Sequence, residues 1–240
     1  MTKGIIKVGL FVGALLGMNA VIAEPIKYAD ESAKYLKYAM ELDKGCKWIA
    51  KVKEWDNPEK IKHGYPFKLH VGPYLVSVPD GIKDIILMSH NVLAISYNDK
   101  SVIYLSAHVI PESYGLVKIS DTRTNKISPA EVVDVIFMKT HCDKNDVPEY
   151  DYDKFIWHLA LFQKSLHFRD EGNEVFKTRS GKLTYYVSEG GKNSPNSGNA
   201  YVTNIEQKND VLVIDASHMS FDKFKQIVFS VREYSHPKED

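Results

Sequence analysis

The sequence predicts an α+β fold: a mostly antiparallel central sheet flanked by helices, with an N-terminal helical extension. Three observations carry this. Strand and helix periodicities segregate along the chain instead of alternating as βαβ units. Val211-Leu212-Val213-Ile214 is an unbroken aliphatic run, suited to a strand buried on both faces near the middle of a sheet. After that run the apolar spacing changes from two residues to about 3.6. Phe221, Phe224, Ile227, Val228 and Val231 then follow Ser220, a good N-cap, so a helix over Ser220–Arg232 should lay one greasy face on the sheet.

At the N-terminus, Lys3 and Lys7 precede an apolar stretch from Val8 to Leu16, and Val21-Ile22-Ala23 offers small residues for a signal peptidase. Residues 1–23 therefore read as a signal peptide cleaved after Ala23. The apolar run is short for a membrane span, and Asn19 follows it closely. No cysteine lies near the cleavage point to take a lipid anchor. The remainder divides into an extension over 24–66 and a sandwich domain over 67–240, a size that suits one domain.

In the extension, Ala33, Leu36, Ala39 and Met40 share a face, Asp30 or Ser32 can cap, and Gly45 can stop a helix over Asp30–Lys44. Cys46–Trp55 fits two patterns, with Trp48, Ala50 and Val52 alternating as in a strand and Cys46, Ile49 and Ala50 matching a helical turn. Asn57-Pro58 breaks either one. Strands are expected next at Phe67–Val71, Tyr74–Val78, Ile85–Met88, Val92–Tyr97 and Val102–Ile110. Gly72-Pro73, Pro79-Asp80-Gly81 and Asn98-Asp99-Lys100 punctuate them as turns.

Ser128-Pro129-Ala130-Glu131 is the clearest helix start, with a capping serine, a proline at N1 and a glutamate that can reach back. Phe155, Leu159, Phe162 and Leu166 define a second amphipathic helix, and the acids Glu149, Asp151 and Asp153 suit its N-terminus. Two hairpins follow. Val175–Arg179 turns at Ser180-Gly181 into Leu183–Ser188, and Ala200–Ile205 turns at Asn209-Asp210 into Val211–Ala216.

The 31 basic and 31 acidic residues balance, and losing Lys3 and Lys7 with the signal leaves two more acids than bases. Such a chain has no electrostatic case for nucleic acid or for an anionic membrane surface. The two cysteines, Cys46 and Cys142, would meet an oxidising compartment after export, and a disulfide between them is expected. Closing that loop would contribute about 4–5 kcal/mol in the chain-entropy model. Two buried free thiols, or a metal site using His141 and Cys142, are the competing readings. The paired ligand clusters typical of zinc are missing.

The chain has no Gly-x-Ser-x-Gly elbow, His-Glu-x-x-His pair, Gly-x-Gly-x-x-Gly turn or Cys-x-x-Cys. No catalytic, cofactor or metal residue is therefore assigned. The Glu189–Gly198 stretch is rich in glycine, serine and asparagine, and is the best surface loop for a partner, with Glu189, Lys192, Asn193 and Asn196 as contact candidates.

The order of strands, Ser-Pro-capped helix, second helix, hairpin strands and closing helix resembles the Mog1/PsbP-like group, an α/β/α sandwich with a central antiparallel sheet. The carriers are Tyr74-Leu75-Val76-Ser77-Val78-Pro79-Asp80-Gly81, a strand ending in a Pro-x-Gly turn, and the strand-helix pair Val211–Arg232. The resemblance spans about 67–232. It implies a binding or accessory role without shared catalytic residues, since that group includes secretion-system chaperones and envelope proteins.

The expected function is that of an exported, non-enzymatic protein-binding protein of the bacterial envelope, periplasmic or secreted. Its sharper version is an immunity protein that occupies a toxin or effector. The 14 tyrosines suit protein contacts. The alternative is a small periplasmic hydrolase or other enzyme whose groups converge only in space, with His108, His141, Cys142, His158 or His218 as candidates.

Overall fold

The computed structural model describes residues 33, 34, 36, 37, 52–54, 65–107, 125–140, 142–167, 175–190 and 196–234. The strands are β1 (Val52–Glu54), β2 (Phe67–Val71), β3 (Tyr74–Val78), β4 (Ile82–Leu87), β5 (Leu93–Tyr97) and β6 (Val102–Ala107), then β7 (Val175–Ser180), β8 (Leu183–Glu189), β9 (Gly198–Asn204), β10 (Val211–Ser217) and β11 (Arg232–Glu233). The helices are α1 (Pro129–Met138), α2 (Asp151–His167) and α3 (Phe221–Phe229). The main sheet runs β1-β7-β8-β9-β10-β6-β5-β4, and a smaller sheet runs β11-β3-β2. Every pairing is antiparallel except β1 with β7.

The aliphatic run sits where its composition demands. β10 lies between β9 and β6, with Val211, Leu212 and Ile214 buried. One face of the main sheet gives Ile95, Ile103, Leu105, Tyr185, Val202, Leu212 and Ile214 to a core closed by Phe224, Ile227 and Val228 of α3 and by Val76 and Val78 of the small sheet. On the other face, Val175, Tyr186, Tyr201 and Val211 meet Val133, Ile136 and Phe137 of α1 and Phe155, Ile156, Trp157 and Leu161 of α2. Among the described residues, the sheet's share of this second core comes from β7 to β10. On the same face of β5 and β6, Ala94, Ser96, Val102, Tyr104 and Ser106 are half-buried.

The Ser128 capping box forms as expected: the Glu131 amide donates to Ser128 Oγ at 3.3 Å, and Glu131 Oε2 accepts from the Ser128 amide at 2.7 Å. Its N-terminus is also fastened to the β9–β10 hairpin, since the Ala130 amide donates to the Lys208 carbonyl. Asp151 and Asp153 begin α2, where the helix dipole favours them. Asp153 does more, accepting the Ile127 amide at 3.2 Å and tying the start of one helix to the approach of the other.

Two expectations are corrected, and one open reading is resolved. The closing helix ends at Phe229 rather than Arg232. The Ser230 hydroxyl donates to the Ile227 carbonyl at 2.6 Å and accepts the Ser77 amide at 2.8 Å, which stops the helix and hands the chain to β11 beside β3. In the extension, Ala33, Lys34, Leu36 and Lys37 are helical, but Val52–Glu54 forms a parallel strand on β7. The alternating pattern thus prevails over the helical one there. Tyrosine, finally, is less of a surface residue than expected: of the ten described, five, Tyr74, Tyr97, Tyr185, Tyr186 and Tyr201, are buried.

Candidate functional site at one end of the main sheet

β10 and β5 finish, and β4, β6 and β9 begin, at the same end of the main sheet. The loops gathered there are the Gly81 approach to β4, the Asn98–Lys100 turn, the β8–β9 loop and the Ser217–Ser220 link to α3. Among the described residues four non-glycines take the left-handed backbone, and three of them, Lys100 (φ 69°), Asn196 (φ 61°) and His218 (φ 57°), lie at this end. Gly81 (φ 77°) joins them. Such backbone is uncommon outside glycine and persists where surrounding structure holds it.

That support is visible. The Asn196 carbonyl accepts the Met219 amide at 2.8 Å, pinning the β8–β9 loop to the link that precedes α3. The Gly190 amide donates to the Ser197 carbonyl and closes the loop base. Gly198 starts β9 against the Phe224 ring, where an added Cβ would lie 2.4 Å from a ring carbon. The Asn98 amide donates to the Gly81 carbonyl at 3.0 Å. Lys223 of α3 reaches Asp99 at 2.9 Å and lies 4.7 Å over the Tyr97 ring. The Ser101 hydroxyl above all, with Lys223 and the Ser101 amide, holds the Asp99 carboxyl down to about 2.

The rim built this way is polar and of mixed charge, with Asp80, Asn98, Lys100, Asn196 and His218 exposed. Ser220 Oγ is committed to the N-cap of α3, accepting the Lys223 amide. The rim therefore offers hydrogen bonds and charges on a braced frame, without a nucleophile and base drawn together among its described residues. Of the four loop candidates, Glu189 ends β8 opposite Gly198, half-buried, and Asn196 is exposed at the rim. Lys192 and Asn193 lie outside the described residues.

The other candidates are dispersed. His158 is buried on α2 beside Trp157, and burial first, then the Lys154 charge, pushes its imidazole down to about 4. His218 is exposed at the rim, while His108 and His141 lie outside the described residues. Cys142, in the link between α1 and α2, is not a free thiol. Cys46, the other half of the expected bridge, lies outside the described residues. Among the described residues no three His, Cys, Asp or Glu side chains group to hold a metal, and no helix is long and apolar enough to cross a membrane.

Sequence reasoning named one rim loop and missed that it joins three others. The signal was present in part: Asn98-Asp99-Lys100 and Pro79-Asp80-Gly81 were legible as turns, but their shared end depends on strand order. No protein-family model matches the chain, and no curated protein matches it.

Proposed function

We propose that the chain is an exported, non-enzymatic binding protein of the bacterial envelope, and that the rim of loops at the β10 end of the main sheet grips a protein partner. The observation that carries this is the concentration of left-handed non-glycine residues, Lys100, Asn196 and His218, in exposed loops braced by Met219 and Lys223. A preset loop rim on a rigid sheet loses little entropy when it binds. The mixed charge of the rim suits a protein surface better than a polyanion. The resemblance to the Mog1/PsbP-like group, whose members bind rather than catalyse, points the same way. In its sharper form the partner is a toxin or effector, and the chain is the periplasmic immunity protein that occupies it.

The test is a pull-down with natively purified protein from envelope extracts, repeated with Asn98→Ala/His218→Ala. A stoichiometric partner is expected, held about tenfold or more weakly by the variant, whose melting should match the parent because both side chains are exposed. The same material, digested without reductant, should yield the proposed Cys46–Cys142 peptide pair. No protein partner, together with an activity lost on changing histidines, would replace this reading with that of an enzyme.

A further inference from the structure

β4 is the last strand of the main sheet, and among the described residues nothing pairs with its outer edge. Of the seven large hydrophobic residues exposed among the described residues, four are consecutive here: Ile85 (47%), Ile86 (52%), Leu87 (69%) and Met88 (44%). The neighbouring strand is better covered, with Ile95 and Tyr97 at 0% and 2% and its other residues half-buried. The other free edges are blunted. β2 carries Lys68 and His70, β11 is only Arg232 and Glu233, and β1 is three residues long. Charge and shortness are the usual protections of an edge, and the second half of β4 has neither.

We propose that β4 is an interface for a second copy of this chain, pairing antiparallel across a two-fold axis at Ile86 and running the two sheets together. The pleat sets the register. The Met88 amide donates inward to the Val92 carbonyl, so with Ile86 opposite Ala94 and Leu87 opposite Leu93, the backbone groups of Ile85 and Leu87 point outward. A two-fold at Ile86 sets each outward Ile85 against Leu87 of the second copy, giving reciprocal backbone hydrogen bonds. It also stacks apolar side chains on both faces: Ile85 on Leu87 on the face of Ile95, and Ile86 on Ile86 on the face of Ala94.

The placement of charge favours this occupant. Asp84 comes opposite Met88, so its carboxylate meets no like charge, whereas a two-fold at Asp84 would oppose two carboxylates. Without residues 1–23 the 31 acidic residues exceed the basic ones by only two, so long-range repulsion between two copies is weak. In the single chain the outward Ile85 amide is taken by its neighbour's Asp84 Oδ1 at 2.9 Å, and pairing exchanges that bond for a backbone carbonyl. The surface is separate from the loop rim, and the axis points the two rims in opposite directions.

Sedimentation of natively purified protein over a range of concentrations should show a monomer–dimer equilibrium. Ile86→Lys and Leu87→Lys should each raise the dimer Kd by about tenfold or more without lowering the melting temperature of the dilute monomer, since both positions are exposed in the single chain. Register is read by oxidative cross-linking, with the parent protein as control. Ile86→Cys should give a covalent dimer, because directly opposed residues bring their Cβ atoms to about 4.5–5.5 Å. Ile85→Cys alone should not, but mixed with Leu87→Cys it should. A monomer at every concentration, association that survives both lysines, or a cross-link from Ile85→Cys alone would each overturn the proposal.

Discussion

The two faces of the main sheet are closed by different chemistry. The face under α3 and the small sheet is mostly apolar: several polar groups at its margin end on backbone, although the buried Tyr97 Oη has no hydrogen-bond partner among the described residues. Tyr74 Oη donates to the Asp210 carbonyl at 2.8 Å, Tyr185 Oη to the Val231 carbonyl at 3.2 Å, and Ser230 bridges Ile227 and Ser77. The face under α1 and α2 buries groups that ionise or need partners. Asp153, His158, Gln163 and Lys164 are all buried on α2, and the Trp157 indole N–H has no hydrogen-bond partner among the described residues. Lys164 Nζ donates to the Lys139 carbonyl at the end of α1, and Asp134 accepts Tyr186 Oη at 3.1 Å and Lys177 Nζ at 3.3 Å. Apolar closure depends on shape and is indifferent to pH. The helical face holds by polar fit and inherits a dependence on protonation.

The comparison is broken hardest by Phe224→Ala. Phe224 is fully buried between α3 and Gly198, and its loss should cost about 3–5 kcal/mol in urea or guanidinium unfolding, nearly equal at pH 7 and pH 5. The opposite face is probed through His158. An imidazole in the unfolded chain takes up a proton near pH 6.5, while the folded one waits until about 4. Stability should therefore fall as pH drops through that window and level off below it, by about 3 kcal/mol in total. His158→Leu should flatten this slope, and an unchanged slope would remove His158 as its source. The smallest effect sharpens the contrast at a single helix end: Ser128→Ala removes the α1 cap and should cost about 1 kcal/mol by the same unfolding measurement, with α3 untouched.

What was legible in the sequence follows from how local each signal is. The Ser128 box, the Val211–Ile214 run and the Phe221-to-Val228 spacing are decided within a few residues, and each forms where expected. The turn at Asn98–Lys100 was equally plain. β11 escaped notice because two residues, Arg232 and Glu233, carry no period, and they are placed by distant contacts such as Ser230 with Ser77 and the Tyr234 amide with the Pro73 carbonyl. The exposure of Ile85 to Met88 was illegible because an apolar run reads alike in a central strand and at an edge. The rim was half legible: its turns could be named, but the Asn196–Met219 contact that unites two of them spans parts of the chain whose proximity only the topology decides.

The parallel pairing of β1 with β7 has a consequence for the order of assembly. Val52 meets Val175, so the earlier strand must wait for more than a hundred further residues before its partner exists. At about 5–20 residues per second, that delay is on the order of ten seconds during synthesis. β7 can pair with β8 across a two-residue turn far sooner than it can recruit a strand from so distant a segment. The β7-to-β10 meander is thus the template, and β1 is the seam closed onto it from the far side of the chain.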